Sequence, residues 1–278
     1  MGLVTILRVN LDLTSVRAKL ARSQEHAQTM KNEMRSWMDR HPYSLLQKVN
    51  SDSSRYSLIL RINEPPPFQR WTLIAADCIN NMRSALDYLI YAIARYEAGS
   101  QSPSDEDKLA FPISDDRSRF DQAVSNGKLG KISDPISTVI ESLQPYHRPH
   151  PDLPPLLSVL RTLNNTDKHR LLGLVYGAVQ GGNLSLVGDS EIPPKVDAVA
   201  HHGEVEDGTE ILAFTCDPPT PNMHFDRGAE VSVVIAIWHG KRLPSGPDWS
   251  GRSDVVAVLT LLSEEVREVI YSVCAKVP

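Results

Sequence analysis

The sequence predicts an α+β protein: a long-helix bundle with an antiparallel β-sheet in the C-terminal half. Two long segments among the first hundred residues carry apolar side chains at heptad spacing, which is typical of helices packed side by side. From about residue 173 to residue 240, short runs rich in β-branched residues alternate with Gly, Pro and Asp, which is typical of antiparallel strands. A final amphipathic segment predicts one more helix.

This pattern divides the chain into three parts. Residues 1–172 are expected to form mainly a helical bundle, with a short β-hairpin at 43–62. Residues 173–250 form the antiparallel β region, and residues 251–278 form a C-terminal helix that packs on the bundle or on the sheet. A single domain made of all three parts is the alternative, because 278 residues can bury one large core or two smaller ones.

The first helix is predicted at about residues 11–40, where His41 and Pro42 end it. Two short strands follow at 43–49 and 55–62, joined by the turn-like sequence NSDSS. The heptad positions of this first helix are Leu13, Val16, Leu20, Ser23, Ala27, Met30, Met34 and Trp37.

The second long helix is predicted at about 68–98, directly after the prolines 65–67. Two long helices joined by a short hairpin are expected to pack antiparallel. A polar loop at 99–108 separates this helix from shorter ones near 115–125 and 133–144. The heptad positions of the second helix are Trp71, Ala75, Cys78, Met82, Ala85, Leu89, Ala92 and Tyr96.

The remaining elements are a leucine-rich helix, a set of strands and the last helix. Pro154 and Pro155 suit the first turn of the leucine-rich helix. Residues 206–209 (EDGT) are a candidate hairpin turn between strands, and Ser253 is the predicted cap of the last helix. The strand candidates are GLVYGAV, NLSLVG, VDAVAHH, TEILAFTC and AEVSVVIAIW.

Composition narrows the classes of function. A net charge of −5 gives no support to a generally basic protein that coats nucleic acid. Cys78, Cys216 and Cys274 are an odd number of cysteines at no metal-like spacing, which predicts free thiols in a reducing compartment. The N-terminus lacks the pattern of a signal peptide, and no apolar run reaches the roughly 18–20 residues of a membrane span. We therefore expect a cytoplasmic protein with no membrane partner.

The most unusual stretch is LRTLNNTDKHRLL, at residues 160–172. On a helical period its leucines form one apolar stripe, and Asn164 and Asp167 fall inside that stripe. An amide and a carboxylate that face a core both need partners. Arg170 lies three residues after Asp167 at the flank, Lys168 lies at the opposite edge, and His169 points away from the stripe.

The second long helix offers a complementary polar set. Asn80, Arg83, Ser84 and Asp87 lie on one side of it, roughly opposite the heptad seam. We expect Arg83 and Asp87 to meet Asp167 and Arg170 across a pair of helices. Three interpretations stay open: a desolvated ion-pair network that sets helix register, a binding or acid–base site, or, for the stripe from Asn80 to Asp87 alone, a solvated helix face. The candidate catalytic residues are Arg83, Asp87, Asp167, His169 and Arg170, and the candidate binding residues are Asn80, Asn164 and Lys168.

Several of these motifs resemble those of a group of uncharacterised bacterial proteins. The resemblance covers more than half of the chain and is most specific in RSALDY and LNNTDKHR. It implies no activity, so it supplies no catalytic residues. The matching segments are NMRSALDYLIYAIA (81–94), FPI (111–113), IESLQPY (140–146) and LNNTDKHRLL (163–172).

Paired helices with polar Arg, His and Asp motifs also resemble the bundles of the HEPN superfamily, many of which are metal-independent ribonucleases or their inactive relatives. Their signature is an arginine and a histidine separated by four to six residues. Arg161 and His169 depart from it, with seven residues between them, whereas Arg35 and His41 have five. In a chain with this many arginines, such spacings arise by chance, so they add little weight.

The leading hypothesis is a cytoplasmic binding or interaction protein with an Arg/Asp/Asn network between two helices. Its partner is unknown, and the long helices could support a homo-oligomer. The alternative is a HEPN-like metal-independent ribonuclease or nucleotide-acting enzyme, in which Arg83 or Arg170 stabilises phosphate charge and His169 or Asp167 acts as acid or base. A metal-dependent hydrolase is the second alternative, with His201, His202 and Glu204 as possible metal ligands. Adjacent residues of a strand point to opposite faces of the sheet, however, so these side chains are poorly placed to bind one metal ion. No metal site and no cofactor are expected, because the common motifs for both are absent from the sequence.

Overall fold

The computed structural model describes residues 11–99, 102–103, 105–147, 155–169, 172–181, 186–188, 195–200, 205–225, 230–238 and 254–278. The helices are α1 (Thr14–Met38), α2 (Phe68–Glu97), α3 (Arg117–Ser125), α4 (Asp134–Ser142), α5 (Leu156–His169) and α6 (Val255–Cys274). The strands are β1 (Tyr43–Val49), β2 (Arg55–Ile62), β3 (Gly173–Gly181), β4 (Leu186–Val187), β5 (Lys195–Ala200), β6 (Glu210–Asp217), β7 (His224–Phe225) and β8 (Glu230–Trp238). Single turns of 3₁₀-helix lie at Glu106–Lys108 and Pro145–His147.

The two long helices α1 and α2 pack against each other along the predicted heptad seams. Ser23 lies beside Cys78, with 3.3 Å between Oγ and Sγ, and the rings of Trp37 and Trp71 meet edge to face. Sequence numbers rise along α1 as they fall along α2, so the helices are antiparallel. The fully buried positions of α1 recur every seven residues, as the sequence predicts: Val16, Ser23, Met30 and Trp37.

Local sequence explains where several helices begin and end. Helix α2 starts directly after Pro67, and α4 has Pro135 in its first turn, where a missing N–H costs nothing. Helix α6 is capped by Asp254, whose carboxylate accepts a 2.9 Å hydrogen bond from the backbone N–H of Ala257. The predicted cap, Ser253, lies outside the described residues.

The largest sheet has four strands in the order β1-β2-β6-β5, and every pairing is antiparallel. It therefore takes its first two strands from the N-terminal half of the chain and the other two from the C-terminal half. Glu210 of β6 accepts hydrogen bonds from Ser57 and Arg55 of β2 at 2.5 Å each. Strands β3 and β8 form a second antiparallel pair, and β4 and β7 form a third.

The last helix lies on the bundle. Its apolar face packs against α1, α2, α4 and α5, and the helix also touches β8. The α+β class is confirmed, and no helix in the described ranges is long and apolar enough to span a membrane. The buried residues on the apolar face of α6 are Val255, Val258, Leu259, Leu262, Val266, Val269, Ile270 and Val273.

Candidate functional site

Arg83 and Asp87 form an ion pair one turn apart on α2, with 2.7 Å between Nη2 and Oδ1. Both side chains also hold the backbone of Phe111. Arg83 Nη2 donates to the carbonyl oxygen of Phe111 at 2.7 Å, and the N–H of Phe111 donates to Asp87 Oδ1 at 2.9 Å. The pair thus satisfies both backbone groups of a residue whose ring is fully buried.

The segment that follows Phe111 is held in the same way from other helices. Arg161 of α5 donates to the carbonyl oxygen of Ile113 at 3.1 Å and forms an ion pair with Asp115. Ser158, also on α5, donates to the carboxylate of Asp115 at 2.5 Å. Since residues 111–115 form no helix or strand, these side chains replace the hydrogen bonds of regular secondary structure. We call residues 111–115 the clamped segment.

Gln144, which lies two residues beyond the end of α4, also binds the clamped segment. Its Oε1 accepts from the N–H of Ser114 at 2.9 Å, while its Nε2 donates to the carbonyl oxygen of Ile140 at 2.9 Å. The Gln144 side chain is fully buried, so both ends of the amide need these partners. Asp115, Gln144 and Ser158 are site residues that no sequence pattern predicts, although FPI and IESLQPY lie among the motifs that carry the resemblance.

Burial sets the charge properties of the Arg83–Asp87 pair. Burial raises the pKa of Asp87 above its ordinary value, against the opposing effects of Arg83, of the Phe111 N–H, of Lys128 and of Lys168. It also lowers the pKa of Arg83, although Asp87 acts in the other direction. The side chains are 16% exposed for Arg83 and 31% for Asp87, so the carboxylate is the member of the pair that solvent or a ligand can reach.

The second ion pair behaves differently. Burial works to raise the pKa of Asp115, but the hydrogen bonds from Arg161 and Ser158 outweigh it, so this pKa lies below the ordinary value. Asp115 is therefore a structural anchor that stays ionised to lower pH than an ordinary aspartate. Arg161 is correspondingly committed to the clamped segment.

Helix α5 lies against α2, as predicted for the two polar motifs. Asn164 is buried, with 4% of its surface exposed, whereas Asp167 is only partly buried and Lys168 is exposed. Burial raises the pKa of Asp167, and the charge of Asp77 adds to this effect. The side chain of His169 and the whole of Arg170 lie outside the described residues.

The predicted contact between Arg83 and Asp167 is wrong. Arg83 instead pairs with Asp87 of its own helix, because i to i+4 spacing brings the two side chains together and the clamped segment supplies a further acceptor at Phe111. Among the described residues, the strongest electrostatic neighbour of Asp167 is Asp77, also of α2. Asn80, the remaining candidate on α2, is exposed.

Asp87 also lies in the wall of a cavity of about 450 Å³ between α1, the C-terminal half of α2 and the 3₁₀ turn near residue 106. Both hydrogen bonds that it accepts from described residues end on Oδ1, which leaves Oδ2 for other partners. Helical periodicity does not predict this cavity, although Tyr88, Tyr91 and Tyr96 recur at three- and five-residue spacing along the end of α2. The lining residues are Asp12, Ser15, Val16, Asp87, Tyr88, Tyr91, Ala92, Arg95, Tyr96, Glu106 and Leu109.

Three tyrosines of this cavity have identified neighbours. The hydroxyl of Tyr91 donates to Glu106 at 3.4 Å, and that of Tyr96 donates to the carbonyl oxygen of Pro278 at 2.8 Å. The ammonium of Lys19 lies 5.6 Å from the centroid of the Tyr88 ring. The cavity wall is therefore aromatic and polar at once, as is common for small-molecule sites.

Arg35 and His41, the pair considered for ribonuclease chemistry, do not line this cavity. Arg35 is in the last turn of α1 and His41 is exposed after its end, with a backbone φ of 53°. His201, His202 and Glu204 lie outside the described residues. Among the residues that the structure does describe, no group of three or more His, Cys, Asp or Glu side chains is placed to hold a metal ion.

No protein-family model, no curated protein and no solved structure matches this chain.

Proposed function

We propose that this chain is a cytoplasmic binding protein whose ligand site is the cavity between α1 and α2. The observation that carries the proposal is the cavity itself, with a half-buried carboxylate in a wall of tyrosines. Its volume of about 450 Å³ lies within the range of small-molecule sites. Asp87 supplies a polar group whose Oδ2 has no hydrogen bond from the described residues.

The contacts of Arg83 favour binding over catalysis at this place. An arginine that stabilises a transition state must direct its donors at the reacting group. Arg83 Nη2 donates to Asp87 and to the carbonyl oxygen of Phe111, and Arg83 is not among the residues that line the cavity. None of the described residues that line the cavity is a histidine, a cysteine or a lysine, and no hydrogen bond pairs Ser15, the one aliphatic hydroxyl of the wall, with a described base that would activate it.

The three cysteines support a cytoplasmic location. Cys78, Cys216 and Cys274 are all free thiols. Two of them are buried, and burial raises the pKa of Cys78 to about 11. A chain that keeps three thiols unpaired fits a reducing compartment.

A fragment screen tests whether the cavity binds small molecules. Ala92→Trp would place an indole into the cavity from α2, because Ala92 is one of its lining residues. Ligand-observed NMR on the wild type is expected to identify fragments whose saturation-transfer signals disappear with Ala92→Trp. Leu73→Trp is the matched control, since Leu73 lies exposed on the same helix outside this cavity.

Circular dichroism would first establish that both tryptophan variants keep the helical content of the wild type. The proposal is wrong if every fragment that binds the wild type binds Ala92→Trp equally well. It is also wrong if no fragment binds the wild type at all.

A further inference from the structure

We infer that the ligand of this cavity is an organic cation, an alkylammonium group held between the carboxylates of Asp87 and Glu106 and the tyrosine rings of α2. This inference rests on the proposed function and names the chemical class of its ligand. Three observations support it: the excess of carboxylates in the cavity wall, the tyrosine rings, and the partly buried carboxylate of Asp87.

Charge balance in the wall favours a cation. Asp12, Asp87 and Glu106 contribute three carboxylates, and Arg95 is the one cationic side chain among the described lining residues. Asp12 lies within electrostatic range of Arg95 and of Arg17, which is not among the lining residues, so Asp12 contributes little free negative charge. Arg83 offsets part of the charge of Asp87, but carboxylates still outnumber cationic side chains in the wall, which favours a cation over an anion as the ligand.

The tyrosine rings fit the same class of ligand. Tyr88, Tyr91 and Tyr96 follow one another along the last turns of α2, and all three line the cavity. The face of an aromatic ring attracts a cation placed within about 6 Å of its centroid. The structure already shows such a contact, because the Lys19 ammonium lies 5.6 Å from the centroid of the Tyr88 ring.

Glu106 is positioned to hold the charge of a bound cation. Its Oε2 lies 3.4 Å from the hydroxyl of Tyr91, so a carboxylate and an aromatic ring are neighbours in the wall. An ammonium ion at this place would contact both, and cation–π and ionic attraction would act together. Glu106 is exposed, so its replacement should leave the fold intact.

A bound cation would stabilise the ionised form of Asp87. Its ionised form is destabilised by burial, and its partner Arg83 is shared with the carbonyl oxygen of Phe111. Lys128 and Lys168 also act on Asp87, but neither is among the side chains that line the cavity. Oδ2 accepts no hydrogen bond from the described residues, so it is the atom through which a cation in the cavity would meet this carboxylate.

Matched pairs of probes test the charge requirement directly. Choline and 3,3-dimethylbutan-1-ol have nearly the same shape and differ in charge, and so do 1,4-diaminobutane and 1,4-butanediol. Isothermal titration calorimetry on the full chain is expected to show each cation binding at least about tenfold more tightly than its neutral partner. Glu106→Gln and Tyr91→Leu should each weaken cation binding about fivefold or more while changing the binding of the neutral probes little.

Glu25→Gln is the matched control for the charge change. Glu25 is an exposed carboxylate on α1, outside the cavity and paired with Arg22, so its replacement should not change the affinity for either cation. Equal affinity for cations and neutral partners, or no binding of either cation, would overturn the inference. The proposed function would survive that result if fragments sensitive to Ala92→Trp are still found. The proposed function fails only when no ligand binds the wild type more tightly than it binds Ala92→Trp.

Discussion

The side chain of Asp87 has three roles in this molecule. It pairs with Arg83, accepts the N–H of Phe111 and lies in the wall of the cavity. The first two roles are structural, because a buried guanidinium without its carboxylate partner would be strongly destabilising. The third role depends on Oδ2, because the hydrogen bonds from Arg83 and from Phe111 both end on Oδ1.

Asp167 illustrates the opposite case, a carboxylate that costs stability when it ionises. Burial and the neighbouring charge of Asp77 raise the pKa of Asp167 in the folded state. The folded protein therefore holds this proton to higher pH than the unfolded chain does. Stability is lost as pH rises from the ordinary carboxylate pKa through the raised one.

We predict that Asp167→Asn stabilises the protein at neutral pH. The gain in the free energy of unfolding should be about 0.5 kcal/mol at pH 7, because the group is partly exposed and solvent screens it. The gain should vanish near pH 3, where both the folded and the unfolded wild type carry the proton. Urea denaturation of the wild type and the variant at a series of pH values measures this difference.

The background variant Asp77→Asn provides the control for Asp167. With the Asp77 charge removed, the stabilisation by Asp167→Asn at pH 7 should shrink, because the repulsion that it relieves is smaller. A variant less stable than the wild type at every pH would show that Asp167 has a favourable partner instead.

The clamped segment is the clearest case at the scale of an element. It has no regular secondary structure, yet residues of α2, α5 and the end of α4 hydrogen-bond its backbone or its Asp115 carboxylate. Buried backbone outside helices and strands needs such side-chain partners. The motifs RSALDY and FPI therefore have a structural explanation in the contacts that Arg83 and Asp87 make with Phe111.

We predict that Asp115→Asn destabilises the protein by about 2 kcal/mol, since it removes the charge partner of the partly buried Arg161. Urea denaturation measures the loss, and amide hydrogen exchange should accelerate at Ser114 and its neighbours. Asp121→Asn is the matched control. That carboxylate is exposed and pairs with the exposed Arg117, so its loss should cost at most about 0.5 kcal/mol. Equal effects of the two substitutions would contradict the structural role of Asp115.

On the scale of the whole molecule, the four-stranded sheet connects the two halves of the chain. Strand β2 pairs with β6, and α6 covers the bundle, so both α6 and the strands after residue 172 complete a core that begins in the first half. Leu58 and Leu60 of β2 are buried in the complete chain. A fragment that lacks β6 and α6 leaves one edge of β2 without a partner.

We predict that residues 1–172 expressed by themselves do not unfold cooperatively. Urea titration followed by far-UV and near-UV circular dichroism should give one sharp transition for the full chain and a broad, shallow change for the fragment. A cooperative transition of the fragment at the midpoint of the full chain would instead show that the predicted division at residue 172 is a domain boundary.

Local sequence was sufficient to predict most helices and strands. The heptad seam of α1, with Val16, Ser23, Met30 and Trp37 buried, is a property of residues close together in the chain. Asn164 was predicted to be buried for the same reason, and the structure confirms it. The partner of a buried polar side chain, however, comes from a distant segment of the chain. Helical periodicity carries no information about which segment that is.

Tertiary structure therefore decided the partners and the cavity. Arg83 pairs with Asp87 and Phe111 instead of Asp167, because the clamped segment packs onto α2 and supplies an acceptor that no helical pattern predicts. The cavity needs Asp12 from one end of the described chain and Glu106 from a loop beside the tyrosines of α2. Sequence periodicity determined which faces of the helices are buried, since that depends on neighbours three or four residues away, whereas long-range packing decided which groups share a site.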